Sequence, residues 1–287
     1  MPVIADHCPN CNSPLSWERD SCPGCGHYVG PPNIREVESE RDALKARYEQ
    51  AAEDSRARGC LNMVTEFTER VAQDSVAVIN LWPSFLAQFL NGEKSLYSGY
   101  TLQTEAETRR AANLSNDRER RGTEGTLFGD YGLQIRYAAL SIDCIGLVSY
   151  GSCSVSLRNA LCINKGTLLE ENSYSFVHRH RILPGDQIPE GRRAVWQDRH
   201  YLASAKIAGT IVQATTERNF AKLLLLSNGD RATDEFIEVH IYGAFGKEAF
   251  VAAAVPAVKK ATTQEERCDL GKIHDSLVSL GILCKQV

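Results

Sequence analysis

The sequence predicts an α+β protein in three parts: a small cysteine-built module at residues 1–30, a charged helical stalk at 31–58, and a mixed helix and antiparallel or mixed sheet domain at 59–287. Three observations predict it. Two Cys-x-x-Cys pairs lie near the front of the chain. A polar run with helical spacing follows the breaker "GPPN" (Gly30 to Asn33). From about Gly125 onward, short apolar or alternating runs recur between Gly, Asn, Asp and Pro.

Composition bounds the rest. A hydrophobic share of 43% and a charged share of 24% are those of an ordinary globular chain. A net charge of −4 excludes a molecule that binds nucleic acid by bulk charge alone. No run of about 18 apolar residues exists, so no membrane span is expected. The start "MPVIADHCPNC" lacks a basic region followed by an apolar run, so no secretory signal is expected and the expected compartment is the cytoplasm. The chain has ten cysteines, and in such a compartment clustered cysteines point to metal before disulfides.

The first element is the module carrying Cys8 and Cys11 in "CPNCN" and Cys22 and Cys25 in "CPGCG". Each Cys-x-x-Cys turn aims two thiolates at one point, and Zn²⁺ takes four such ligands tetrahedrally. Pro9, Asn10, Pro23, Gly24 and Gly26 suit the tight backbone. Two knuckles on short hairpins make a zinc ribbon, and the stretch resembles the rubredoxin-like ribbons at the front of many bacterial proteins. Four thiolates close the coordination sphere, so the expected role is structural, with His7 and His27 as neighbours and not ligands. Residues 1–33 carry one Arg against three acids, which suits a protein partner better than phosphate.

The second element is the run "IREVESERDALKARYEQAAEDSRARG", with Asn33 as N-cap. Val37, Leu44 and Ala51 form a stripe that Arg41 interrupts. That pattern fits a solvated spacer and a weak coiled-coil homodimer about equally. Beyond Gly59, Met63, Val64, Phe67 and Val71 predict a helix that "VAVINLW" continues, with Pro83 starting a short further helix and Gly92 closing it. "SLYSGYTL" reads as a strand and "TEAETRRAANLSNDRERRG" as a polar helix. Strands are expected in "GLQIRYAALSI", "SYGSCSVSLRN", "NSYSFVHRHRIL", "AKIAGTIVQAT", "AKLLLLSNG" and "EFIEVHIYGAF", and one amphipathic helix in the tail "EERCDLGKIHDSLVSLGILCKQV".

Three of these stretches, with Tyr97 and Gly99, Tyr150 and Gly151, and Glu238, come in an order that resembles the strands of ADP-ribosyltransferase-type domains. The resemblance implies an NAD cofactor and a catalytic set of Tyr97, Tyr150 and Glu238. Glu238 would stabilise the oxocarbenium-like charge that grows as NAD⁺ is cleaved, and Tyr150 or Ser154 would meet the nicotinamide ribose. Ser98 stands where that family places an Arg or His, which puts the anchoring of the ligand in doubt. The residues alone also allow Glu238 to be a polar side chain on a half-buried strand.

Between His178 and Lys206 five Arg and one Lys face three acids, with Trp196 and Tyr201 interleaved. Arg192, Arg193, Arg199 and Trp196 are the candidates for gripping a nucleotide or RNA. His178 and His180, two apart on an expected strand, lack a third metal ligand. Cys60, Cys144, Cys153, Cys162, Cys268 and Cys284 have no metal spacing and read as small apolar residues. Two functions follow. One is a nucleotide-using, effector-like transferase targeted by its ribbon and stalk. The other is a non-enzymatic zinc-ribbon adaptor that binds a protein or nucleic acid.

Overall fold

The computed structural model describes residues 7–93, 95–97, 114–231 and 233–287. The fold is α+β, with ten helices among the described residues and one mixed sheet of eight strands. The strands are β1 (Val76–Leu81), β2 (Ile135–Ser141), β3 (Cys153–Leu157), β4 (Gly166–Leu169), β5 (Arg193–Val195), β6 (Glu238–Tyr242), β7 (Phe250–Val255) and β8 (Leu283–Gln286). Their order is β5-β4-β6-β2-β1-β3-β7-β8. Every neighbouring pair is antiparallel except β7 and β8.

Alternation along the strands divides the sheet into two faces. The inner face presents Ile79, Leu140, Val155, Val239, Ile241 and Ala253 to the main core. That core is closed by α3 (Leu61–Asp74), α4 (Pro83–Asn91), α6 (Asn159–Lys165), α8 (Arg199–Ile207), α9 (Glu217–Leu224) and α10 (Gln264–Ser279), through residues such as Phe67, Leu86, Cys162, Leu202, Phe220 and Ile273. The outer face carries Tyr137, Ala139, Glu238, His240 and Tyr242 by register. Above it lie α5 (Leu114–Phe128) and α7 (Ser173–His180), which bring Phe128 and Phe176 to a second cluster with Leu169.

Several expected elements differ. "VAVINL" is the strand β1 and not a helical continuation. It is central in the sheet and covered on both faces, so its apolar run does not alternate, and periodicity alone cannot separate such a run from a helix. "NSYSFVHRHRIL" is the helix α7, because the Asn172 side chain accepts hydrogen bonds from the N–H groups of Tyr174 (3.1 Å) and Ser175 (3.3 Å). "AKIAGTIVQAT" spans the end of α8 and a 3₁₀ turn, and "AKLLLLSNG" begins inside α9, whose start is fixed by a Thr216–Asn219 capping box. The tail is not one helix: α10 ends at Ser279, Gly281 turns the chain at φ +66°, and β8 joins the sheet edge. Of "SLYSGYTL", Tyr97 forms a single bridge to Phe245, and Ser98 and Gly99 lie outside the described residues.

Residues 32–57 form α1 (Pro32–Glu38) and α2 (Arg41–Ala57), which lie against the body instead of standing away from it. Pro31 precedes the first helix, so Asn33 is not its cap. Asn33 is buried, and its Nδ2 donates to the Lys165 carbonyl (3.0 Å) and Thr167 Oγ1 (3.2 Å). The stripe that fitted a solvated spacer and a weak coiled coil equally is spent internally: Val37 and Leu44 are 3% and 1% exposed. Arg41 grips Asp198 with two hydrogen bonds of 2.7 and 3.2 Å. Arg193 on β5 reaches Glu40 and Glu36, and Tyr131 Oη donates to Glu36 Oε2 at 2.6 Å. No helix among the described residues is long and apolar enough to cross a membrane.

Candidate metal centre and a buried polar cluster

The two knuckles share one local design. In each, the residue four after the first cysteine takes a left-handed conformation, Asn12 at φ +58° and Gly26 at φ +72°. Its N–H closes the turn on the first cysteine's carbonyl, at 2.8 Å to Cys8 and 2.9 Å to Cys22. Asn and Gly are the residues that tolerate this backbone. A bridge pairs His7 with Pro14 beside one knuckle and Ser21 with Tyr28 beside the other.

The result places the four sulfurs of Cys8, Cys11, Cys22 and Cys25 within 4.8 Å of one another. Two edges of the group are 3.7 Å (Cys8 to Cys25) and 3.4 Å (Cys11 to Cys22). A tetrahedron with metal–sulfur bonds of about 2.3 Å has edges of about 3.8 Å, so the donor set fits a four-thiolate ion such as zinc. The surroundings favour the thiolate at Cys11 and Cys25. Cys11 lies 3.3 Å from Ser13 Oγ, and hydrogen bonding by Ser13 pulls its pKa to about 6. Asn10 Nδ2 donates to Cys25 Sγ at 3.4 Å and lowers that thiol as well. Burial pushes Cys22 up to about 11, a penalty that a bound cation removes.

Glu238 sits at the start of β6, 6% exposed, on the outer face. The Ser173 N–H donates to its Oε2 at 2.9 Å, the Ser173 hydroxyl donates to the same oxygen, and Asn172 Nδ2 approaches Oε1 at 3.4 Å. His240 Nε2 lies 3.0 Å from Glu238 Oε2 and 3.1 Å from Ser173 Oγ. Phe128 and Tyr137 stand edge-on to the imidazole, at ring distances of 4.8 and 5.5 Å. The carboxylate therefore serves as an internal anion at the first turn of α7, where backbone N–H groups attract negative charge. Ser, His and Glu meet at a single imidazole nitrogen. A hydrolytic relay instead uses both nitrogens, one for the base and one for its orienting acid.

Of the residues matched to the transferase pattern, Tyr97 lies apart from Glu238, whereas Tyr150 and Glu238 share the outer face. Tyr97 packs on the inner face among Phe85, Phe89 and Phe245, and its bridge partner Phe245 lies beyond the far end of β6 from Glu238. Tyr150 lies on the outer side against the cluster of Ala139, Leu147 and Phe236, with the Arg231 guanidinium 4.4 Å over its ring. Ser154 Oγ donates to the Cys144 carbonyl at 2.7 Å.

Part of the basic segment is turned inward, although the Arg179 side chain is exposed and that of Arg192 partly so. Trp196 is 1% exposed and donates through Nε1 to Asn159 Oδ1 at 2.6 Å. Arg199 donates to Ser75 Oγ (2.9 Å) and to the Ala72 and Trp196 carbonyls, and burial lowers its pKa. Arg192 and Arg47 hold the two oxygens of Glu170 at 2.6 and 2.9 Å. Glu170, Glu171 and His180 form a second close group of donor atoms. Arg47, Arg192 and Arg179 already balance its two carboxylates, which disfavours a divalent cation there.

The partners Ser173 and His240 were missed from the sequence, although Asn172 before "SYSF" is a cap signal and His240 follows Glu238 on the same strand face. Burial pushes the thiols of Cys153 and Cys162 up to about 12, consistent with apolar packing. No protein-family profile matches this chain, and no curated protein matches it. Fold and site together define an α+β protein with a cluster of four cysteines placed to hold a metal ion.

Proposed function

We propose that this chain is a zinc-stapled recognition protein, in which a structural Zn²⁺ on Cys8, Cys11, Cys22 and Cys25 fixes the ribbon and the molecule binds a protein partner without chemistry. One observation carries this reading: the groups a nucleotide transferase needs free are engaged internally. Glu238 caps a helix, Trp196 is core, and Arg193 and Arg199 are held by the fold itself. Four thiolates leave the metal no position for a substrate. The ribbon's Tyr28 is 61% exposed, and the local excess of acids favours a protein over a nucleic acid.

A second reading, NAD⁺-dependent transfer at Glu238, is favoured by the fixing of that carboxylate by Ser173 and His240. A preorganised anion is what a developing oxocarbenium requires. The two readings separate when full-length, metal-replete protein is incubated with NAD⁺ and nicotinamide release is followed. The recognition reading expects no release above buffer, from wild type or from Glu238→Gln. Release that the substitution abolishes overturns it in favour of the transferase.

A further inference from the structure

The ribbon is not an appendage. The loop between its knuckles lies on the outer face of the sheet. Trp17, partly buried, packs with Tyr242 and Tyr137 against the cluster that includes Phe128, Tyr131 and Leu169. Tyr242 Oη donates to the Trp17 carbonyl at 3.2 Å. Arg35 of α1 donates to three ribbon carbonyls, Ser16 (3.2 Å), Arg19 (3.3 Å) and Gly30. Two residues earlier, Asn33 anchors the same helix to Thr167 of β4.

These contacts converge on the strand that carries the polar cluster. Tyr242, His240 and Glu238 alternate along β6 and share the outer face. Tyr242 meets Tyr131 edgewise at 6.2 Å, Tyr131 meets Phe128 at a tilt at 5.9 Å, and Phe128 meets His240 edgewise at 4.8 Å. The knuckles have little else to hold them. Each hairpin has one bridge, and the buried apolar groups between residues 7 and 30 are the thiols of Cys8 and Cys22. A module of that size without its metal lacks a core and opens.

We infer that metal occupancy of the ribbon is coupled through Trp17 and Arg35 to the order of the outer face, so that the ion is a folding ligand for β6 and α7 as well as for residues 7–30. The inference rests on the zinc reading of the four thiolates. Opening the knuckles frees the backbone that positions Trp17, and removing Trp17 exposes apolar surface around Tyr242 and Tyr131. Linkage is reciprocal: a body that prefers the closed ribbon raises the ribbon's affinity for zinc by the same factor.

The test uses the full chain under reducing conditions. Zinc content is measured first, since protein that binds no zinc fails the zinc reading itself. Zinc affinity is then compared by chelator competition. Trp17→Ala, with all four thiols intact, is expected to bind zinc about tenfold more weakly, and Arg35→Met to shift in the same direction. Affinity unchanged in both overturns the coupling. Wild-type hydrogen exchange, with and without zinc, decides the matter even if a variant misfolds. Residues 173–180 and 238–242 should lose protection on zinc removal, while 250–255 on the far side of the sheet keep theirs. Zinc release that leaves 238–242 fully protected refutes the inference.

Discussion

Replacing Arg193 by alanine is the sharpest probe of how residues 32–57 are held to the sheet. Arg193 Nε donates to Glu40 Oε1 at 2.9 Å, its Nη2 meets the same oxygen, and Nη1 lies 3.6 Å from Glu36 Oε2. The side chains of Arg193 and Glu40 are 12% and 7% exposed, and Glu40 Oε2 accepts no hydrogen bond among the described residues. Without Arg193, a buried carboxylate loses its hydrogen-bonded cation. Breaking a buried pair from one side destabilises by about 3–5 kcal/mol, against about 0–1 kcal/mol for a surface pair. The expected fall in melting temperature is roughly 6–20 °C. Chemical denaturation of Arg193→Ala, Glu40→Gln and the double variant measures it, and the double should lose clearly less than the sum of the singles. A single variant within about 0.5 kcal/mol of wild type would refute the buried-pair reasoning and return Arg193 to the list of surface cations free for a ligand.

Gly191 offers a backbone test of the same contact. It sits at φ +71°, and an added Cβ would come within 2.8–2.9 Å of the Ala43 and Leu44 backbone, so Gly191→Ala should destabilise by about 1–3 kcal/mol, read by urea unfolding. His200 sets an acid limit. Burial and neighbouring Arg199 lower its pKa from 6.5, so the unfolded chain takes up a proton that the folded chain resists. Stability from this group is complete above pH 6.5 and falls as pH drops from there to the folded-state pKa. His200→Gln should flatten that part of the profile, and an identical slope in both proteins would count against it.

Legibility tracked how local each constraint is. The four-cysteine cluster could be read because coordination geometry dictates spacing, turn residues and ligand type within about twenty residues. α3, α4 and the Gly59 and Gly92 breaks followed from helical spacing and stop residues. β1 was lost because a strand buried on both faces has no period of its own. β4 and β5, at four and three residues, fall below any pattern, and β7, "FVAAAV", is too alanine-rich to announce itself. The cluster around Glu238 depends on β4 delivering Ser173 beside β6, a pairing of segments more than sixty residues apart. The pairing of the basic segment was hidden for the same reason: the counter-charges of Arg193, Arg192 and Arg179 are Glu40, Glu170 and Glu171, which lie outside the segment and reach it through tertiary contacts.

The position of β6 fixes the order in which this sheet can be completed. It pairs with β2 on one side and β4 on the other, so β4 and β5 join the remaining strands through it. As the chain emerges from the ribosome, β2 and β4 are present well before residues 238–242, each with an unpaired edge on the side where β6 will enter. Exposed edges of that kind invite pairing with other chains. The interval between residue 169 and residue 242 is therefore when a nascent copy is most open to aggregation. A premature stop between β5 and β6 leaves the β4–β5 pair with no strand to join it to β2.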